Sequence, residues 1–151
     1  MPQSHAEILL HLVYSTKNRV PFLADIEVRN AMHQYLGATS ANLDCPTLIV
    51  GGPADHVHLL LRLGRSIMVE TLVKELKVES SKWIKNQGHQ FVTFHWQSGY
   101  SIFSVSPSHS RRLIPYITSQ ERHHKKESFQ DEARRLFEKY EVEYDERYVW
   151  D

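Results

Sequence analysis

Cys45-Pro46-Thr47-Leu48-Ile49-Val50-Gly51-Gly52-Pro53-Ala54-Asp55-His56-Val57-His58-Leu59-Leu60-Leu61-Arg62-Leu63 is the stretch from which the fold is read. Residues 45–50 have the apolar run of a strand, Gly51-Gly52-Pro53 punctuates it as a turn, and His56 to Leu63 returns as a second strand. The reading predicts a β-hairpin. Side chains alternate along a strand, so His56 and His58 share one face while Val57 enters the opposite layer. Two adjacent imidazoles on one face make two legs of a metal site, because a neutral ring nitrogen is a good ligand. An exposed or hydrogen-bonded pair is the plainer reading of the same pattern.

Around this hairpin the remaining elements fall into order. Residues 7–15 are a dense apolar run of strand length, whose continuity predicts burial on both faces. From about Asp25 to Ala41, Ile26, Val28, Met32, Tyr35 and Leu36 follow helical spacing. Ile67 to Asn86 is the clearest helix, with Met68, Leu72, Leu76, Trp83 and Ile84 along one face and Gly88 to end it. Phe91 to Trp96 and Tyr100 to Val105 are two further β-rich runs. Ser106-Pro107-Ser108 then opens a polar helix expected to reach about Lys126, and residues 129–142 form a last amphipathic helix.

Strand, helix, strand, strand, helix, strand is the arrangement of an α+β, ferredoxin-like (RRM-like) antiparallel sheet with helices on one face. The strands at 8–15 and 56–63 are its expected central pair, and the histidines lie on the face away from those helices. A tyrosine-bearing helix and the last amphipathic helix follow. All 151 residues read as one domain.

The chain carries 18 Lys+Arg and 18 Asp+Glu, a net charge of zero. The charge is unevenly spread: residues 1–126 hold 14 basic against 9 acidic side chains and all ten histidines, residues 127–151 hold 4 against 9. A zero sum thus hides a basic body, which is what meets phosphate. The acidic segment also reads as a solvated helix face. A single cysteine, Cys45, leaves no intramolecular disulfide and suits a reducing cytoplasm. The N-terminus lacks the basic and apolar regions of an export signal, and no apolar run approaches the roughly 20 residues of a membrane span. A cytoplasmic protein is expected.

Arg112-Leu113-Ile114-Pro115-Tyr116-Ile117-Thr118-Ser119-Gln120-Glu121-Arg122-His123-His124-Lys125-Lys126 is the second decisive stretch. Four residues apart on a helix, Tyr116 and Gln120 share a face. A phenol with a pKa of about 10 is a poor nucleophile, and becomes useful where a metal ion stabilises developing charge. The Gln120 amide oxygen is a reasonable third ligand beside His56 and His58, and such a set suggests Mg²⁺ or Mn²⁺. Tyr116 packing the helix onto the sheet is the plainer reading, and a zinc site of His56, His58 and either His123 or His124 is another. Pro115 removes a backbone donor, harmlessly if the helix starts near Ser110 and with a kink beside Tyr116 if it starts at Ser108.

With its apolar middle residue, His56-Val57-His58 resembles the HUH motif. Tyr116-Ile117-Thr118-Ser119-Gln120 resembles the Tyr-x-x-x-Gln of the single-tyrosine HUH transposases of the insertion sequence 200/605 family. Phe94-His95-Trp96-Gln97-Ser98-Gly99-Tyr100, Phe103-Ser104-Val105-Ser106, Ser128-Phe129-Gln130-Asp131-Glu132 and Tyr144-Asp145-Glu146-Arg147-Tyr148-Val149-Trp150 are similar too, so the likeness spans nearly the whole chain.

The resemblance implies an enzyme that cuts and rejoins single-stranded DNA at the ends of a small element. Tyr116 would attack the scissile phosphate, forming a 5′-phosphotyrosine and releasing a 3′-OH, while His56, His58 and Gln120 hold the divalent ion. It further implies a homodimer with active sites shared between subunits, and DNA hairpins as substrate. Arg62, Arg65, Lys74, Lys77, Lys82 and Lys85 are candidate DNA contacts by charge and position. A non-catalytic nucleic-acid-binding regulator on the same scaffold and a zinc hydrolase are the alternatives.

Overall fold

A computed structural model describes residues 3–120 and 127–151. Four antiparallel strands form one sheet: β1 (Leu9–Ser15), β2 (Thr47–Gly51), β3 (His56–Arg62) and β4 (Ser101–Val105). Their order is β2-β3-β1-β4, so β1 and β3 are the central pair, as expected. The register sets Ser15 opposite His56, Val13 opposite His58 and Leu12 opposite Leu59.

Alternation along these strands builds two layers. Leu10, Leu12, Tyr14, Val57, Leu59 and Leu61 face α1 (Ile26–Asn42) and α2 (Val69–Lys85), which supply Met32, Leu36, Leu72, Leu76 and Ile84 to the main core. Asp25 caps α1 by accepting from the backbone N–H groups of Glu27 and Val28 at 2.8 and 3.2 Å. The opposite face, bearing His11, His56 and His58, is covered by two further helices. α3 (Pro107–Thr118) packs Leu113 and Ile117 on Leu9, Leu60 and Val105. α4 (Phe129–Lys139) packs Phe129, Ala133, Leu136 and Phe137 on Val13 and Phe103. Ser106 and Ser128 cap these helices through their hydroxyls.

Two sequence expectations change, and one open alternative is decided. Phe91 to Trp96 is not a strand: residues 89–91 form a 3₁₀ turn, and only Trp96 bridges to Thr16. Its apolar residues are nonetheless buried, with Trp96 donating to Ser80 Oγ at 2.9 Å; here burial comes from plugging the end of the core, without strand pairing. α3 stops at Thr118 with Ser119 as its C-cap; residues 121–126, including His123 and His124, lie outside the described residues. Finally, α3 begins at Pro107, which places Pro115 inside the helix. Among the described residues no helix is long and apolar enough to cross a membrane.

Gly51 and Gly52 shape the hairpin beside the histidines. Gly52 has φ +144°, and a Cβ there would lie 2.4 Å from the His56 carbonyl oxygen. A Cβ at Gly51 would lie 2.7 Å from the carbonyl oxygen of Ile117. The absent side chain lets the tyrosine-bearing helix seat against β2.

Candidate active site

β3 carries both histidines fully buried on the face covered by α3 and α4. Their outer nitrogens are fixed from behind. His56 Nδ1 lies 2.7 Å from Asp55 Oδ1, and His58 Nδ1 lies 2.8 Å from His11 Nε2. A partner on Nδ1 orients an imidazole and leaves Nε2 for a ligand. Both Nε2 atoms converge on one atom, Oε1 of Glu132, at 3.2 Å from His56 and 3.0 Å from His58. Glu132 is completely buried on α4.

The other carboxylate oxygen, Oε2, accepts the hydroxyl of Tyr116. Arg135, one turn along α4, donates from Nη2 to the same hydroxyl at 2.8 Å and pairs with Glu127 at 3.0 Å. The Tyr116 ring stands edge-on to that of His58 with centroids 6.0 Å apart. One chain thus brings together the tyrosine, the histidine pair and a carboxylate.

Charge follows from this packing. Burial opposes protonation of His56, but its hydrogen bonds to Asp55 and Glu132 outweigh burial and hold its pKa above the ordinary value. His11 goes the other way, held well below by burial and by the neighbouring His58. The Tyr116 phenol is pushed above its usual pKa by burial and by the Glu132 charge, with Arg135 opposing. The hydroxyl is therefore neutral and donating at rest.

The donor set suits a divalent ion. One atom each from His56, His58 and Glu132 lie within 4.8 Å of one another. Ligands around an ion with bonds of about 2.1 Å stand about 3.0–3.4 Å apart, which is the spacing from Glu132 to each imidazole. Two nitrogens and a carboxylate oxygen are ligand types that a divalent metal ion accepts.

Gln120 lies one residue beyond Ser119, the C-cap of α3. It is fully buried past the end of α3, its Nε2 3.4 Å from the Tyr116 carbonyl oxygen. It lines a small cavity with Asn30, His33, Gly51, Gly52 and Thr118. Its Oε1 has no hydrogen-bond partner among the described residues.

The candidate DNA contacts are dispersed. Lys74, Lys77, Lys82 and Lys85 ride on α2, across the sheet from Tyr116. Lys77 is spent inside the fold, donating to the carbonyls of Gln97, Ser98 and Gly99 at 2.8, 3.2 and 2.6 Å. Arg62, at the end of β3, pairs with Glu7 at 2.8 Å, and Arg65 lies in the loop before α2.

Sequence reasoning assigned no role to Glu132, Arg135, Asp55 or His11. A signal existed for Glu132: it is the one acid in the stripe Phe129, Glu132, Ala133, Leu136, Phe137, whose spacing is that of a buried helix face.

With this geometry in hand, likeness to known proteins is informative. The family model described as "Transposase IS200 like" matches residues 4–120. Two solved structures share the fold. A crystal structure of a Deinococcus radiodurans R1 protein assigned as a transposase has a TM-score of 0.61 at 23% identity, covering 80% of this chain and 98% of that one. The structure of a REP-associated tyrosine transposase bound to a REP hairpin has a TM-score of 0.61 at 11% identity, covering 82% of this chain and 73% of that one. No curated protein matches the sequence.

Proposed function

This chain belongs to the IS200-like transposase family, and from that premise we propose that it cuts and rejoins single-stranded DNA through Tyr116. The observation that carries the proposal is the single carboxylate, Glu132, whose two oxygens join the Tyr116 hydroxyl to the His56–His58 pair. A tyrosine that only packed a helix onto a sheet would not need a buried acid and an arginine at its hydroxyl.

His56 and His58 hold a divalent ion, Mg²⁺ or Mn²⁺. Glu132, already facing both imidazoles, is a further source of an oxygen ligand beside the Gln120 amide. When bound, the ion supplies Lewis-acid polarisation of the scissile phosphate and charge neutralisation there. Tyr116 Oη forms the bond to phosphorus, the P–O3′ bond breaks, and the 3′ oxygen leaves, taking a proton from water to become a 3′-OH and leaving a 5′-phosphotyrosine. Glu132 Oε2 already accepts the phenol proton, so it is placed to receive it as the new bond forms. Arg135 keeps a fixed positive charge at the attacking oxygen, where charge develops during the transfer. Asp55 and His11 hold the two imidazoles in register. Attack by another 3′-OH reverses the step, so no nucleotide cofactor is needed.

The substrate in this proposal is single-stranded DNA with hairpins at the element ends. Lys74, Lys82, Lys85, Arg62 and Arg65 are available to a hairpin stem at a distance from the cut, and Lys77 only by leaving its carbonyl partners. A homodimer is part of the proposal, with the tyrosine acting on its own histidine pair or, by exchange of α3, on its partner's. The chain acts in the cytoplasm as a single domain.

The test is a pair of variants. Tyr116→Phe should abolish cleavage of single-stranded DNA from the element ends while binding stays within about twofold, because only the nucleophilic oxygen is lost. His56→Ala should leave a folded protein that does not cleave with either metal. Equal loss of binding and cleavage in Tyr116→Phe, or full activity of His56→Ala, contradicts the roles assigned.

A further inference from the structure

The cations proposed above for a hairpin stem lie on α2 across the sheet from the nucleophile, at the end of β3 or in the loop before α2, and leave unanswered what grips the strand at the cut. A cavity of about 190 Å³ opens between α3 and α4 on the outer side of Tyr116. His109, Arg112 and Tyr116 line it from α3, and Arg135, Lys139 and Tyr140 from α4 and its C-cap. The α3 residues are spaced i, i+3, i+7 and Arg135 and Lys139 are i, i+4, so each helix presents one stripe to the cleft. The stripes meet where Lys139 Nζ lies 3.4 Å from His109 Nε2 and where Arg135 Nη2 touches the Tyr116 hydroxyl.

Three features distinguish this cleft from an ordinary solvated surface. Arg112 and Lys139 are both exposed, and neither makes an ion pair among the described residues. The charges of Lys139 and Arg112, after burial, hold the His109 imidazole below its usual pKa, the mark of a locally positive potential. Tyr140 lines the cavity, its hydroxyl is buried without a hydrogen-bond partner among the described residues, and its ring stacks on Phe103 at 4.5 Å. Exposed cations without an ion-pair partner among the described residues, lining a cavity beside the Tyr116 phenol, call for a polyanion.

We propose that the cleft between α3 and α4 is the channel for the DNA strand being cut, with Arg135 at the scissile phosphate and Arg112 and Lys139 on the phosphates beside it. The proposal rests on the transposase reading and deepens it. Although residues 127–151 are acidic in sum, their Arg135 and Lys139 form one wall of the basic channel, and Glu127, which pairs with Arg135, restrains that arginine at rest. Release of Glu127 by an incoming phosphate would free a planar, bidentate donor for it.

Salt dependence of strand binding tests the channel. The full chain is titrated against a fluorescein-labelled oligothymidylate single strand in EDTA, over a range of KCl concentrations, by fluorescence anisotropy. Each cation that contacts a phosphate of a single strand contributes about 0.7 to the slope of log K against log salt. Arg112→Gln combined with Lys139→Gln should therefore flatten the slope by about 1.4 and weaken binding tenfold or more at low salt. The charge-conserving pair Arg112→Lys, Lys139→Arg should keep the original slope, and Arg147→Gln, a cation elsewhere on the surface, should leave it unchanged. An unchanged slope in the double Gln variant, or equal flattening in the charge-conserving pair, overturns the channel. Tighter binding of the corresponding RNA than of DNA overturns it as a DNA channel. If the unsubstituted protein binds no strand at any salt concentration, the transposase reading beneath it falls instead.

Discussion

Glu132 Oε1 lies 3.0 Å from His58 Nε2, tying the last helix to the central strand of the sheet. Both groups are fully buried, so the carboxylate is placed as counter-charge to the imidazoles and, in the proposed function, as an oxygen ligand to the ion. Removing one partner of a buried pair leaves the other uncompensated. Glu132→Ala should cost about 3 kcal/mol of stability in EDTA, read from urea midpoints, and should weaken Mn²⁺ binding by tenfold or more in calorimetry. Wild-type Mn²⁺ affinity in a folded Glu132→Ala protein would remove Glu132 from the metal site.

Arg135 sits on the other side of the same tyrosine. Loss of one fixed donor at a developing charge typically costs about a hundredfold in rate or more. Arg135→Gln should therefore slow single-turnover cleavage by about that factor, and change strand affinity in EDTA much less. A rate within twofold of wild type would show that the guanidinium only packs against the ring.

The backbone at Gly51 sets where that tyrosine can go. A methyl group there meets the Ile117 carbonyl oxygen at 2.7 Å, and backbone cannot rotate away as a side chain can. Gly51→Ala should displace α3, with a cost of about 2 kcal/mol, and reduce cleavage more than strand binding. Unchanged stability and rate would mean that α3 is not seated on β2 as described.

The two histidines of opposite behaviour give a pH signature in EDTA. His11 is held well below the ordinary imidazole pKa, so it stays neutral in the fold while the unfolded chain takes up a proton near pH 6.5. Its contribution is present above that pH and is lost on acidification. His56, held above its ordinary pKa, contributes in the opposite sense: present below about pH 6.5 and lost as pH rises through its folded pKa. His11→Gln, which can still hydrogen-bond His58, should gain stability relative to wild type as pH falls from neutrality. Parallel stability–pH curves for the two proteins would contradict the assignment.

How much of this was legible in the chain depends on which period carried the signal. The alternation through His56-Val57-His58 and the glycine turn before it gave the hairpin and the shared histidine face, because a strand whose two faces meet different layers leaves a two-residue imprint. Phe91, Phe94 and Trp96 misled because burial alone, without pairing, also selects apolar residues. The four-residue offset from Tyr116 to Gln120 shares a face only while the helix continues, and α3 ends between them at Thr118. His11 was hidden inside an apolar run, and its meaning depends on a diagonal neighbour 47 positions away. Glu132 was visible only as a break in an apolar stripe; which group it answers is a matter of tertiary packing.

The most direct test of the central claim is mass spectrometry of the product formed with single-stranded DNA from the element's own ends, in Mn²⁺ and in EDTA. The account predicts a covalent protein–DNA adduct that forms only with the metal and maps to Tyr116. Strand binding with no adduct under any metal, or an adduct on another residue, would contradict it.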